Sequence, residues 1–178
     1  MDRYETEDKI EVMISEEDIV KKISVMAEQI SKDYAGRSIS LICILKGSVF
    51  FCCELAKRIT IPVTIDFMQC SSYGDDTVSS GVVKITKDLD ESIEGKDIIV
   101  VEDIIDSGRT LSYLMDLLKT RNPESIALCT LLDKPERRTH DVCVDYTGFQ
   151  IPDEFVVGYG LDYAQKYRNL PFIGVVKL

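Results

Sequence analysis

Apolar positions along this chain change their period several times, and each change marks an element. Residues 10–14 form a short extended stretch. Ser15 with Asp18 makes a capping box, and Ile19, Ile23, Met26 and Ile30 recur at helical spacing, so a helix is expected that ends near Gly36. Beyond it lie an apolar strand at 40–45, a helix at about 49–58 and a strand at 63–68 opened by Pro62. This is a β-α-β rhythm. A strand at 82–86 follows, then a nearly all-apolar strand at 97–101 that suits burial on both faces of a parallel sheet. Leu111, Leu114, Met115 and Leu118 share one face of the next helix. No repeat, low-complexity tract or Pro/Gly/Ser linker divides the chain, so a single domain over residues 1–178 is expected.

Two stretches break this pattern in ways that suggest chemistry. SSYGDDTVSSG, residues 71–81, is polar and too long for a tight turn; it reads equally as a flap over a site or as a solvated hairpin end. EDIIDSGRT follows directly on the strand at 97–101, at the carboxyl end of a central strand, where open α/β sheets hold their ligands. It presents Glu102, Asp103 and Asp106 and then a small-residue turn into a helix. Backbone N–H groups of Ser107, Gly108, Arg109 and Thr110, two hydroxyls and the positive end of the helix dipole suit a phosphate monoester. The three carboxylates would repel that phosphate unless a divalent cation or sugar hydroxyls lay between, so the stretch asks for Mg²⁺ and a phosphorylated sugar. An acidic helix-capping turn without a ligand needs one such side chain, not three. There is no G-x-x-x-x-G-K-[ST], and Gly158 and Gly160 lack the third glycine of G-x-G-x-x-G.

Composition limits the partners. The chain carries 21 Lys+Arg and 31 Asp+Glu over 178 residues, a formal net charge of −10, which argues against gripping nucleic acid or an anionic membrane. Its longest apolar runs, such as LICIL and IALCTLL, fall far short of the about 18 residues of a membrane span. The opening MDRYETEDK is unlike a signal or transit peptide, so a cytoplasmic location is expected. Cys43, Cys52, Cys53, Cys70, Cys129 and Cys143 lie mostly in apolar stretches without a C-x-x-C pair, and read as reduced, buried small hydrophobes. A zinc site or catalytic thiol would have only His140 to complete it.

VVEDIIDSGRT resembles the phosphoribosyl-pyrophosphate-binding signature of type I phosphoribosyltransferases. LLDKPERR and IPDEFVVGYGLDYAQKYRNLP resemble hypoxanthine (guanine) phosphoribosyltransferases, the bacterial ones in particular, and with ILKGS the motifs stand in the right order from about residue 39 onward. The resemblance implies an α/β fold: a central, mostly parallel sheet flanked by helices, with a small hood from about residues 1–15 and 150–178. It implies Mg²⁺-dependent transfer of a 5-phosphoribosyl group from phosphoribosyl pyrophosphate to hypoxanthine, and to guanine, giving the nucleoside monophosphate and pyrophosphate in purine salvage.

Residue by residue, Glu102 and Asp103 match the acidic pair that holds the ribose hydroxyls and Mg²⁺, and Asp106 matches the catalytic carboxylate near purine N7. Ser107, Gly108, Arg109 and Thr110 match the 5′-phosphate loop, and Ile105 counts with them as substrate-binding. The family varies at Arg109, so its backbone weighs more than its side chain. Lys46 and Gly47 match a turn that binds pyrophosphate, with a non-proline cis peptide before the lysine. Lys134 matches the donor to O6 of a 6-oxopurine, where a donor-only ammonium disfavours adenine's 6-amino group. Phe155 matches the ring that stacks on the purine, and Val156 the residue whose backbone reads its Watson–Crick edge. Asp162 matches a ligand of a pyrophosphate-side Mg²⁺, and Arg168 a guanidinium held against pyrophosphate. Ser72 and Tyr73 correspond to a flap that excludes water, and His140 matches no functional position. A homo-oligomer, dimer or tetramer, is expected on the same ground. The rivals are a xanthine-preferring enzyme, and a non-enzymatic regulator that senses nucleotides at the same site while binding RNA or DNA. The regulator should show a contiguous basic surface, whereas Lys and Arg are scattered here.

Overall fold

The structure, a computed structural model, describes residues 9–72 and 83–177. Six strands, β2 (Ile39–Leu45), β3 (Val63–Ser72), β4 (Val83–Lys87), β5 (Asp97–Ile105), β6 (Ser125–Asp133) and β7 (Tyr146–Gln150), form the main sheet. Their order is β4-β3-β2-β5-β6-β7, and every neighbouring pair is parallel except β3 with β4. A smaller antiparallel sheet joins β1 (Lys9–Ile14), β9 (Ile173–Lys177) and β8 (Val156–Val157) in that order, so the two ends of the described chain pair with each other.

Alternation along the two central strands dictates where the helices go. Leu41 and Cys43 of β2 and Ile99 and Val101 of β5 face a cluster built with Ile19, Ile23, Met26 and Ile30 of α1 (Glu16–Asp33) and Phe51 and Leu55 of α2 (Val49–Ala56). The intervening Ile42, Ile44, Ile98 and Val100 meet Leu111, Leu114, Met115 and Leu118 of α3 (Arg109–Lys119) on the opposite face. A strand buried on both faces has to be apolar throughout, as these two are. The cap of α1 forms as expected: the Ser15 hydroxyl accepts from the Asp18 N–H at 3.2 Å and donates to its carboxylate at 2.7 Å. That helix stops at Asp33, and Gly36, at φ 77°, turns the chain toward β2.

β5 is longer than its apolar run. Hydrophobicity alone ends the strand at Val101, yet pairing with β6 continues to Ile105 opposite Asp133, so Glu102 and Asp103 lie on the strand itself. On the other side, pairing with β2 stops at Cys43 opposite Val101, while β2 runs on beside β3 to Leu45. The two central strands part there, and the chain leaves them in opposite directions, through β3 on one side and through β6 and β7 on the other. This parting is the switch point at which an open parallel sheet offers a crevice.

Two expectations need correction or restriction. Cys43, Cys52 and Cys129 are buried, but Cys53 and Cys143 are exposed and Cys70 lies between, because Cys53 sits on the outer side of α2 and Cys143 in the loop before β7. All six are free thiols. Ser72 closes β3, and Tyr73 lies outside the described residues, as does Val82, where β4 was expected to begin. Among the described residues no helix is long and apolar enough to cross a membrane.

These environments predict a labelling order. Burial, with Asp88 nearby, pushes the Cys70 thiol up to about 11, and burial raises Cys129 further. An Ellman-type reagent at about pH 8 should react promptly at Cys53 and Cys143, slowly at Cys70, and at Cys43, Cys52 and Cys129 only after denaturation. Mass spectrometry of partly labelled protein checks the order.

Candidate active site

Three segments meet where β2 and β5 part. The turn after β2 begins with a cis peptide between Leu45 and Lys46, followed by buried Gly47. A methyl group on Gly47 would lie 1.6 Å from Asp103 Oδ2, and one on Gly160 would lie 1.8 Å from the Gly47 carbonyl oxygen. Neither position has room for a side chain, and Gly160, at φ 106°, also has a backbone that suits glycine alone. The turn after β2 is therefore in backbone contact with the segment after β8, and the Asp103 carboxylate at the end of β5 packs against its other side.

The segment after β8 carries a polar cluster. Arg168 donates to the Gly160 carbonyl at 2.7 Å and pairs with Asp162 at 2.8 Å. Asp162 also accepts from the Gln165 N–H at 2.7 Å, and the Gln165 amide oxygen takes bonds from Arg168 at 3.3 Å and Lys46 at 3.5 Å. Lys46, Asp162 and Arg168 thus share one wall. Tyr159, Ala164, Gln165 and Tyr167 of this segment all have positive φ, a concentration of strained backbone of the kind that functional loops retain.

On the other wall, Gly108, at φ 78°, is the N-cap of α3 and supplies no side-chain capping bond, while the Arg109 N–H meets the Ser107 hydroxyl at 3.4 Å; the positive end of the helix dipole points into the crevice. The Ser107 carbonyl accepts from Thr139 N at 3.0 Å and His140 N at 3.1 Å, which ties the turn to the loop before β7. Glu102, Asp106, Ser107, Gly108, Arg109 and Thr110 are among the residues lining a cavity of about 280 Å³ here. Ile105 is 1 % exposed within the apolar core, so its contribution is main chain, and its carbonyl accepts from Lys134 N at 2.9 Å.

Burial pushes the Glu102 carboxyl well above the usual carboxylate range, and the adjacent Asp103 carboxylate adds to the shift. Two hard oxygen ligands side by side and partly buried at the crevice fit a divalent cation such as Mg²⁺. Asp162 is not brought to them: among the described residues no three potential ligands gather. The protein would supply part of a coordination sphere and leave the rest to substrate oxygens and water, the usual habit of Mg²⁺.

Lys134, at the end of β6, is buried with its ammonium 3.5 Å from Asp106 Oδ1 and 3.6 Å from Asp153 Oδ1. Arg138 pairs with Asp133 at the same turn. Phe155 is 47 % exposed, its ring held edge-on against Tyr163 at 5.5 Å, which leaves a large aromatic surface open to a ligand. Val156, by contrast, is buried in β8, so only its main chain can meet a base. His140 is an exposed loop residue. Sequence reasoning missed Asp153, Gly160 as a contact point, and Gln165. Only Gly160 left a visible signal, as half of an incomplete glycine motif.

A phosphoribosyl transferase domain model matches residues 13–164, and the chain belongs to that family. Among curated relatives, hypoxanthine-guanine phosphoribosyltransferases of Streptococcus thermophilus and Bacillus subtilis are each 54 % identical over 166 residues, covering 93 % of this chain and 92 % of theirs. A crystal structure of a hypoxanthine-guanine phosphoribosyltransferase from Bacillus anthracis superposes with a TM-score of 0.91 at 53 % identity, covering 96 % of this chain and all of that one. Within the family, the chain falls in this hypoxanthine-guanine group.

The crowding at Gly47 makes a direct prediction. In Gly47→Ala the Asp103 carboxylate must move, and a displacement of about 1 Å at a reacting centre costs on the order of 100-fold. Transferase kcat/KM should fall by about that factor. Far-ultraviolet circular dichroism should be unchanged.

Proposed function

We propose that this chain transfers the 5-phosphoribosyl group of phosphoribosyl pyrophosphate to hypoxanthine and guanine, releasing pyrophosphate, and so serves purine salvage. The observation that carries this reading is the pairing of Lys134 with Asp106 at 3.5 Å, one residue beyond β5 and beside the N-terminus of α3. A proton-handling carboxylate, a donor-only ammonium and a phosphate cradle thus stand together, which a base, a C1′ centre and a 5′-phosphate require in one reaction.

In this proposal the main-chain N–H groups of Ser107, Gly108, Arg109 and Thr110 hold the 5′-phosphate, and Glu102 and Asp103 hold the ribose hydroxyls. Lys134 donates to O6 of the purine, Phe155 stacks on its ring, and the Val156 main chain reads its edge. Asp106 accepts or relays the proton at N7 as the base becomes a nucleoside. Lys46, the Gly47 main chain and Arg168 receive the departing pyrophosphate, and Asp162 takes part in metal binding on that side. Bound Mg²⁺, held through Glu102 and Asp103, supplies charge neutralisation for the leaving group. Ser72 and Tyr73 belong to a flap that closes over the site and keeps water from C1′. Homo-oligomeric assembly and a cytoplasmic location belong to the same proposal.

A panel of hypoxanthine, guanine, xanthine and adenine, assayed with phosphoribosyl pyrophosphate and Mg²⁺, tests it. Hypoxanthine and guanine should turn over, adenine should not, and chelation of the metal should stop the reaction. Asp106→Asn should lower kcat by about 100- to 1,000-fold, the usual loss for a general acid–base group. Preference for xanthine, or tight salt-dependent RNA binding without turnover, would contradict the proposal.

A further inference from the structure

We infer that Asp153 is a positioning residue for Lys134, the second carboxylate of a buried ammonium, which leaves Asp106 free to turn to the purine. The inference rests on the phosphoribosyl-transfer reading of this site. The Lys134 side chain is only 8 % exposed, and an ammonium removed from water needs opposite charge close by. Its carboxylate neighbours are Asp106 Oδ1 at 3.5 Å and Asp153 Oδ1 at 3.6 Å. Both distances exceed the about 2.7–2.9 Å of a short charge-assisted hydrogen bond. The ammonium is therefore shared between two carboxylates rather than locked to one, and its N–H groups remain open to a third acceptor.

Arg137 explains why Asp153 does not capture the lysine. Its guanidinium reaches both Asp153 oxygens, at 3.1 and 3.2 Å, and, followed by Lys134, it holds the Asp153 carboxyl below the usual range. Asp153 stays ionised while most of its bonding capacity is spent on Arg137.

Main-chain hydrogen bonds set this geometry. Lys134 N donates to the Ile105 carbonyl, and Ile151 N to the Asp133 carbonyl, each at 2.9 Å. These bonds lace the ends of β5, β6 and β7 together. Asp106, Lys134 and Asp153 each follow within two residues of a laced position, on three different segments. The third segment continues to Phe155, so the lysine's carboxylate and the stacking ring arrive on the same piece of chain.

Without Asp153, the buried Lys134 ammonium would keep Asp106, itself half exposed, as its one carboxylate within 4 Å among the described residues. The two would close into a contact pair that withholds the ammonium from O6 and the carboxylate from N7. With Asp153 in place, Asp106 can leave for the base while Lys134 keeps a counter-charge.

Steady-state kinetics of Asp153→Asn and Asp153→Glu, alone and combined with Lys134→Ala, test this. In Asp153→Asn, KM for hypoxanthine should rise about tenfold and the preference for hypoxanthine over adenine should narrow, in line with loss of a charged partner. KM for phosphoribosyl pyrophosphate should stay within about twofold and Asp153→Glu should recover most of the loss, since charge and not shape is at stake. On the Lys134→Ala background, Asp153→Asn should have almost no further effect. An unchanged KM for hypoxanthine in Asp153→Asn, or an undiminished effect on the Lys134→Ala background, overturns the inference while leaving the transferase reading intact. Failure of the wild-type chain to use any 6-oxopurine would instead remove the reading beneath it.

Discussion

The backbone of Gly47 lies against the Asp103 carboxylate on one side and, through its carbonyl, against Gly160 on the other. No side chain fits at either glycine, and that absence of bulk lets three separate segments converge. The approach is possible because β2 and β5 stop pairing at Cys43 and Val101, after which β2 follows β3 and β5 follows β6. The sheet thus opens at its centre, and the acidic end of β5 faces a glycine turn instead of a neighbouring strand. The stiffness of the arrangement comes from below, where alternate residues of both strands are locked into apolar clusters on the two faces.

Charge at the crevice is distributed with the same economy. The chain is strongly acidic, yet each carboxylate at the site has its own kind of partner. Asp162 faces Arg168, Asp106 and Asp153 flank Lys134, and Glu102 with Asp103 stand together on the side where a cation fits. An overall charge that disfavours polyanions at large is thereby compatible with a highly phosphorylated sugar at one place, because Lys46, Lys134 and Arg168 stand in the turns around the crevice.

Much of this was legible in the residues. Alternation and helical spacing located the central strands and the three helices, since burial on two faces leaves a continuous apolar run that few other structures produce. The run also misled at β5: Glu102 and Asp103 look like the start of a loop, but hydrogen bonding to β6 is indifferent to side-chain polarity and carries the strand through them. The acidic cluster and the small-residue turn into α3 stood out because their residues are adjacent in sequence. Asp153 did not, because its meaning depends on Lys134, which lies nineteen positions away and meets it only once β6 and β7 are side by side. Cys53 and Cys143 escaped for a related reason: apolar neighbours in sequence do not say which side of a helix or loop faces water.

On the proposed reading, the parted strands form one site in which a phosphate cradle and an acidic pair hold the phosphoribosyl group beside the base that the Lys134–Asp106 pair receives. A crystal structure with the product nucleoside monophosphate and Mg²⁺ tests it most directly. The 5′-phosphate should lie on the main-chain N–H groups of Ser107, Gly108, Arg109 and Thr110, the purine over Phe155, and O6 within hydrogen-bond reach of Lys134. A phosphate bound elsewhere, or a base whose O6 points away from Lys134, would contradict it.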